Sequence, residues 1–261
     1  MQNLFLHISL AQLQLFFLVF LRVAAILLMV PVFSNNSIPA LFRIGLAFAT
    51  SILLFTILRL EQIPVMTQFF PFVIGAVGEI MIGIIIGLAV KLVFAGVQMA
   101  GQMAGYQMGL ALANVMDPDS SEQMPILSQY NNLFALLIFL AINAHHWFLR
   151  ALAESYRLVP PMNFRYSNSL MEQLMHLGGN MFIVAIQIGA PVIAALLLTS
   201  VAFGLVARTV PQMNVFIVAM PLKIAVGLLF FGFSLPYLSS FLKLLFNGLG
   251  KNIVSLLRAM S

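Results

Sequence analysis

Apolar residues fill this chain in blocks longer than a soluble helix needs, separated by short polar or proline-bearing stretches. The first block covers residues 4–30 and is interrupted by Arg22. An arginine deep in a membrane span costs about 2.5–3.5 kcal/mol on insertion scales. Arg22 therefore either snorkels to a headgroup or marks a helix that faces protein rather than lipid. Residues 31–39 (PVFSNNSIP) read as a turn, with Ser37 as a cap two residues before Pro39. Residues 40–58 form a second helix, with Arg43 near its start, and residues 59–71 a polar connection holding Glu61, Pro64 and Pro71. Residues 72–115 keep a helical pattern without a proline. At 1.5 Å per residue that is about 66 Å, twice a hydrocarbon core of about 30 Å. It is a hairpin without a recognisable turn, or one long helix that ignores a simple membrane boundary, with Gly75, Gly78, Gly83, Gly87 and Gly96 able to supply a bend.

Beyond that, residues 126–148 read as an uncharged helix ending in Asn143-Ala-His145-His146-Trp147. Residues 149–170 read as a polar connection with Arg150, Arg157, Arg165 and Pro160-Pro161, where Trp147, Tyr156 and Tyr166 suit an interfacial belt. Residues 171–210 form a long helix with a kink expected at Pro191, ended by Pro211-Gln212. Residues 213–245 follow, with kinks expected near Pro221 and Pro236, and residues 246–261 form an amphipathic tail of Ile253, Val254, Leu256 and Leu257 against Lys251 and Arg258. The expected fold class is all-α, built from long kinked hydrophobic helices in a single domain over residues 1–261. Its parts are helices over 1–113, a loop over 114–125 and helices over 126–261.

Composition turns these blocks into a membrane assignment. The chain is 62% hydrophobic and 7% charged, where soluble domains average about 25% charged, and its mean hydropathy is +1.07. At roughly 20 residues per span, 261 residues hold about six spans and no separate soluble domain. Cysteine is absent, which excludes disulfides, zinc–thiolate sites and thiol catalysis. The net charge of +5 is too thinly spread for a nucleic-acid partner. The basic residues set orientation instead, and Lys243, Lys251 and Arg258 put the C-terminal end on the cytoplasmic side. No lysine or arginine precedes Arg22 and no small-x-small cleavage site stands out, so the first block is expected to be a retained helix.

The stretch from Gly101 to Pro125 carries the strongest pattern. Gly101, Gly105, Gly109 and Ala113 recur every fourth residue and make a small-residue ridge on one helical face, which lets another backbone approach. Met99, Met103 and Met108 each follow a glutamine, Gln98, Gln102 and Gln107. The helix is expected to stop at Asp117-Pro118, because proline restricts the residue before it and donates no hydrogen bond. Asp117, Asp119 and Glu122 are three of the chain's seven acids. An acidic, methionine-bordered loop thus sits inside an apolar chain. Methionine is unbranched and polarizable and fills cores routinely; a ring of such side chains, Met103, Met108 and the neighbouring Gln107, is also suited to close a pore around varied cargo.

Signals for catalysis are poor. No H-E-x-x-H, G-x-S-x-G or paired-aspartate protease pattern occurs. Gly248-Leu249-Gly250-Lys251-Asn252 lacks the first glycine and the hydroxyl residue of a phosphate loop. His145 and His146 are adjacent and cannot ligate one metal from one helix face. No enzyme activity, metal or cofactor is expected. Glu79 is the remaining lone acid in an apolar run. It is a coupling group for a secondary transporter or small-molecule channel, or, with more weight, a structural partner of Lys91 or of an arginine from another helix.

Gly105-Tyr106-Gln107-Met108-Gly109, Asp117-Pro118, Met124-Pro125, Asn143-x-His145-x-Trp147, Gly204-Leu205, Arg208, Pro211-Gln212, Phe216, Pro221-Leu222 and Gly227 occur in this order. In order and spacing the chain resembles, over nearly its whole length, the FliR family of flagellar biosynthetic proteins, export-gate subunits of bacterial type III secretion. The resemblance implies a structural, pore-forming subunit that passes unfolded flagellar proteins across the inner membrane. It implies assembly with FliP-like and FliQ-like subunits into a cone-shaped gate, contact with an FlhB-like subunit, and a place in the flagellar basal body. It further implies bent helical hairpins lying largely above the ordinary membrane plane within the basal-body ring. It also implies that Val115, Met116, Asp117, Pro118, Asp119, Ser120, Ser121, Glu122, Gln123, Met124 and Pro125 point into the channel and help to plug it.

Overall fold

A computed structural model describes residues 9–33, 38–58, 69–110, 125–210, 212 and 214–261, with residues 215 and 216 as backbone alone. Their regular structure is helical throughout: α1 (Leu10–Met29), α2 (Ala40–Leu58), α3 (Phe69–Met108), α4 (Ile126–Ala141), α5 (Ala144–Leu158), α6 (Asn168–Thr209) and α7 (Val215–Met260). Five of these are long and apolar enough to cross a membrane, and the α4–α5 pair makes a sixth candidate. The protein is an all-α membrane protein.

Local chemistry explains several boundaries. Ser9 caps α1 in a reciprocal box: its Oγ accepts from Gln12 N–H at 3.3 Å, and Gln12 Oε1 accepts from Ser9 N–H at 3.0 Å. The 40-residue α3 is one continuous helix, about 60 Å long. It starts at Phe69 rather than Phe72, with Pro71 in the first turn where the missing N–H is not needed. It ends at Met108, not at Asp117-Pro118, which lies outside the described residues, as does the Ser37 cap.

Two expectations for the middle of the chain are corrected. The helix expected over 126–148 breaks at Asn143, which takes a left-handed conformation (φ 55°, ψ 32°). Asparagine tolerates this region better than most residues because its short polar side chain bonds locally. Residues 149–158, expected as connection, are helical and belong to α5. Phe148, Ala151, Leu152, Ser155 and Tyr156 are buried, while Arg150 and Arg157 face outward. The polar letters that suggest a loop are the exposed side of an amphipathic helix. At the other end of the chain, α7 runs through Pro221 and Pro236 without interruption and includes the tail. Ile253, Leu256 and Leu257 are buried there, whereas Lys251 and Arg258 are exposed.

The chain divides into two compact units, each drawing on both sides of residues 114–125. The first comprises Met1–Lys91, Asn143–Leu177 and Gly248–Ser261. Within it α1 and α2 meet through edge-to-face phenylalanines, Phe16 lying 5.5 Å from Phe48 and 5.9 Å from Phe55 between ring centres. Gly83 and Gly87 of α3 receive α1 directly: a Cβ on Gly83 would stand 2.9 Å from the Arg22 carbonyl oxygen, and one on Gly87 would overlap Met29. These glycines serve close helix approach. The second unit comprises Leu92–Ile142 and Gly178–Asn247. Its core holds Phe94, Phe139 and Phe246, with ring centres 5.2–5.8 Å apart.

Candidate functional site

The glycine-rich end of α3 packs on α4 within the second unit. A Cβ at Gly101 would stand 2.7 Å from both the Leu127 carbonyl oxygen and the Ser128 Cα, so no other residue fits without moving a backbone. The approach leaves α3 carbonyls within reach of α4 side chains. Ser128 Oγ donates to the Gln98 carbonyl at 3.0 Å, and Asn131 Nδ2 donates to the Val97 carbonyl at 3.4 Å. Ser128 and Asn131 are buried, so these bonds replace lost water contacts. One turn on, the contact loosens: a Cβ at Gly105 would reach Pro125 Cβ at 3.4 Å, an ordinary contact.

Gly109 has a different task. Its φ is +82°, its N–H donates to the Tyr106 carbonyl at 3.1 Å, and the Leu110 N–H donates to the Gly105 carbonyl at 3.1 Å. This pair of bonds is a Schellman closure, which needs a left-handed residue after the last helical one. Gly109 therefore ends α3 instead of continuing its ridge. Met108 is fully buried against Ala104, Leu127, Val192 and Leu196, and a Cβ on Gly227 would run into its side chain. Met103 is half-buried and Gln107 is exposed. Ala113 and Val115 to Met124 lie outside the described residues. Their described flanks sit close together, since Pro125 of the entry to α4 lies on Gly105, one turn from the end of α3.

The first unit holds a buried ion pair at Glu79. Arg22 Nε and Nη2 donate to Glu79 Oε2 and Oε1 at 2.5 and 3.1 Å, with both side chains essentially inaccessible. The bidentate geometry matches the guanidinium fork. Arg22 Nη1 also donates to the carbonyls of Ser155 (3.0 Å) and Val159 (2.9 Å), which lie at the C-terminal end of α5. The ring of Tyr156 lies 4.3 Å from the Arg22 guanidinium carbon, and its hydroxyl donates to the Val19 carbonyl at 3.1 Å. Glu79 Oε1 accepts from the Met162 N–H at 2.9 Å, and Met162 itself has φ +71°. Arg22 thus does not snorkel; it closes the end of α5, while Glu79 fixes the turn that follows. Ser155, Val159 and Met162 carry no sequence signal for this role, because each meets the pair through a backbone atom: the Ser155 and Val159 carbonyls and the Met162 N–H. His145 and His146 stack with ring centres 4.2 Å apart.

The model of the family described as bacterial export proteins, family 1, matches residues 13–249. The chain belongs to that family. Among bacterial export proteins of family 1, it is 37% identical over 216 residues to the flagellar biosynthetic protein FliR of Bacillus subtilis (strain 168), covering 81% of this chain and 82% of the relative. It is 33% identical to the FliR protein of Escherichia coli (strain K12), covering 91% and 90%. It is 30% identical to that of Pectobacterium carotovorum subsp. carotovorum, covering 94% of each chain. The resemblance to FliR noted in the sequence therefore holds over most of the length. Of the motif residues in this family member, Gly109 is the closure of α3, Asn143 the left-handed break before α5, and Gly227 the seat of Met108.

Proposed function

We propose that this chain is a structural, pore-forming subunit of the flagellar protein export gate. The observation that carries the reading is the family match over residues 13–249, joined by FliR relatives at 30–37% identity over most of both chains. It sits in the bacterial inner membrane at the flagellar basal body and assembles with FliP-like, FliQ-like and FlhB-like subunits around a passage for unfolded substrates. It acts through packing, with no catalytic step. Residues 115–125 help to close that passage, and Met103 and Gln107 border it, while Met108 anchors the helix end behind them. The closeness of Gly105 and Pro125 supports this role, because it holds both flanks of the acidic stretch at one place. The ridge glycines act where Gly101 meets α4, and Gly109 sets the direction in which the stretch leaves α3.

The test is deletion of residues 114–122 in the assembled gate. The expected result is a membrane that leaks ions or small molecules while the partner subunits still co-purify. Unchanged permeability with an intact assembly overturns the closing role. The transporter alternative requires Glu79 to exchange its proton or ion with a pathway, and its bonds to Arg22 and Met162 N–H disfavour that.

A further inference from the structure

A groove of about 420 Å³ opens on the N-terminal part of α3, walled by Ile74, Gly75, Gly78, Met81, Met162 and Phe164. Its floor is shaped by the two glycines: a Cβ on Gly75 would stand 2.7 Å from Met162 Cε, and one on Gly78 would stand 3.2 Å from Phe164 Cβ. The turn 160–164 therefore lies down on α3, and Glu79 pins it there through the Met162 N–H. The walls are apolar and open to the outside; Ile74 and Val77 are 58% and 54% exposed. They belong to a helix apolar enough to cross a membrane.

Basic residues adjoin the groove along the chain. Arg165 directly follows the wall residue Phe164 and is exposed. Its N–H donates to the Met260 carbonyl at 3.0 Å, and Ser167 Oγ donates to the Ala259 carbonyl at 2.6 Å, so the end of α7 is tied to the same corner. That end carries exposed Arg258. In the same unit, Arg157 is already 3.7 Å from Glu154, and Glu172 is an exposed acid near the start of α6. Arg165 and Arg258 have no ion pair among the described residues. Tyr166, 65% exposed, adds an amphipathic ring of the kind that settles at the headgroup level.

We propose that this groove binds an anionic phospholipid, one acyl chain lying along Ile74, Gly75, Gly78 and Met81 and the phosphate facing Arg165 and Arg258. Apolar walls alone fit any hydrocarbon; the two arginines of the adjoining corner, neither in an ion pair among the described residues, select the anionic headgroup, as basic pockets beside membrane helices do. The lipid would brace the turn that the Arg22–Glu79 pair organises.

The experiment uses the full chain purified with its co-assembled subunits, stripped of lipid in neutral detergent. Native mass spectrometry then measures retention of phosphatidylglycerol and phosphatidylcholine of matched acyl chains. Phosphatidylglycerol is expected to bind about tenfold tighter, the effect of one to two basic residues near a membrane surface. Arg165→Gln with Arg258→Gln should bring the two lipids within about twofold. Ile74→Trp should lower retention of both, and Val77→Trp, at a second exposed wall position, provides the same reading if the first variant does not assemble. Equal retention of the two lipids by the unaltered protein overturns the proposal. So does competition by glycerol phosphate, which would mark a free-phosphate site, or a crosslinked neighbouring subunit that fills the groove in the intact assembly.

Discussion

Replacing Glu79 by leucine removes one half of a pair that has no water to fall back on. Arg22 is fully buried and its Nε and Nη2 lose their acceptors, while the Met162 N–H loses its only described partner. Removing one member of a buried pair costs about 3–5 kcal/mol, because the remaining charge is stranded. The orphaned Met162 N–H, worth about 1–3 kcal/mol if left alone, is part of that figure rather than an addition. At 1.4 kcal/mol per tenfold, the folded fraction falls by roughly two to three and a half orders of magnitude. Arg22→Met with Glu79→Leu removes both charges and replaces them by apolar side chains of similar length. The double variant is expected to recover part of the loss, since the stranded charge is gone while the Met162 N–H and the Val159 carbonyl still lack these partners. The assay is denaturant unfolding of the purified chain in detergent for the wild type, both single variants and the double variant, combined as a double-mutant cycle. In parallel, motility reports export. A double variant that folds and still exports is expected if the pair is structural. A stable double variant that assembles yet exports nothing would refute the reasoning and return Glu79 to a coupling role. Single variants within about 1 kcal/mol of wild type would refute the energetic part.

Three further outcomes follow from the end of α3. Gly101→Leu places side-chain atoms on the α4 backbone and should abolish assembly, with Gly101→Ala intermediate; normal co-purification of the leucine variant with its partners contradicts the contact. At Gly109, asparagine should be tolerated and valine should cost more than about 1–2 kcal/mol, because a β-branched residue resists positive φ; thermal melting separates them, and equal melting temperatures contradict the helix closure. Gly227→Leu should destabilise by about 1–3 kcal/mol through overpacking on Met108, and Met108→Ala in the same chain should restore part of it; additive losses in the melting cycle would mean the two positions do not touch.

Much of the helix inventory follows from local pattern. The bounds of α2 at Ala40 and Leu58 coincide with the apolar block, and α3 is one long helix because no proline or polar break divides it before Gly109. The misreadings have separate causes. At residues 149–158 a high polar content conceals an amphipathic period, since Arg150 and Arg157 face outward while Phe148, Leu152 and Tyr156 go in. At Gly109 the four-residue repeat suggests a ridge, but whether a glycine packs a helix or ends it depends on its φ, and spacing does not encode φ. The acidic loop is prominent in the sequence, and Val115 to Met124 lie outside the described residues.

The sequence by itself determined that this is an all-helical membrane chain of the bacterial export protein family, because apolar block length and motif order are local properties written along the chain. Only the tertiary structure decided which partner satisfies Glu79, what Arg22 holds and which glycines touch a neighbouring helix. Arg22 and Glu79 are 57 positions apart, and Arg22 and Val159 are 137 apart. Their pairing rests on burial: a charge removed from water takes whatever acceptor the fold delivers, and often that acceptor is a backbone carbonyl, which every residue has and no sequence motif marks.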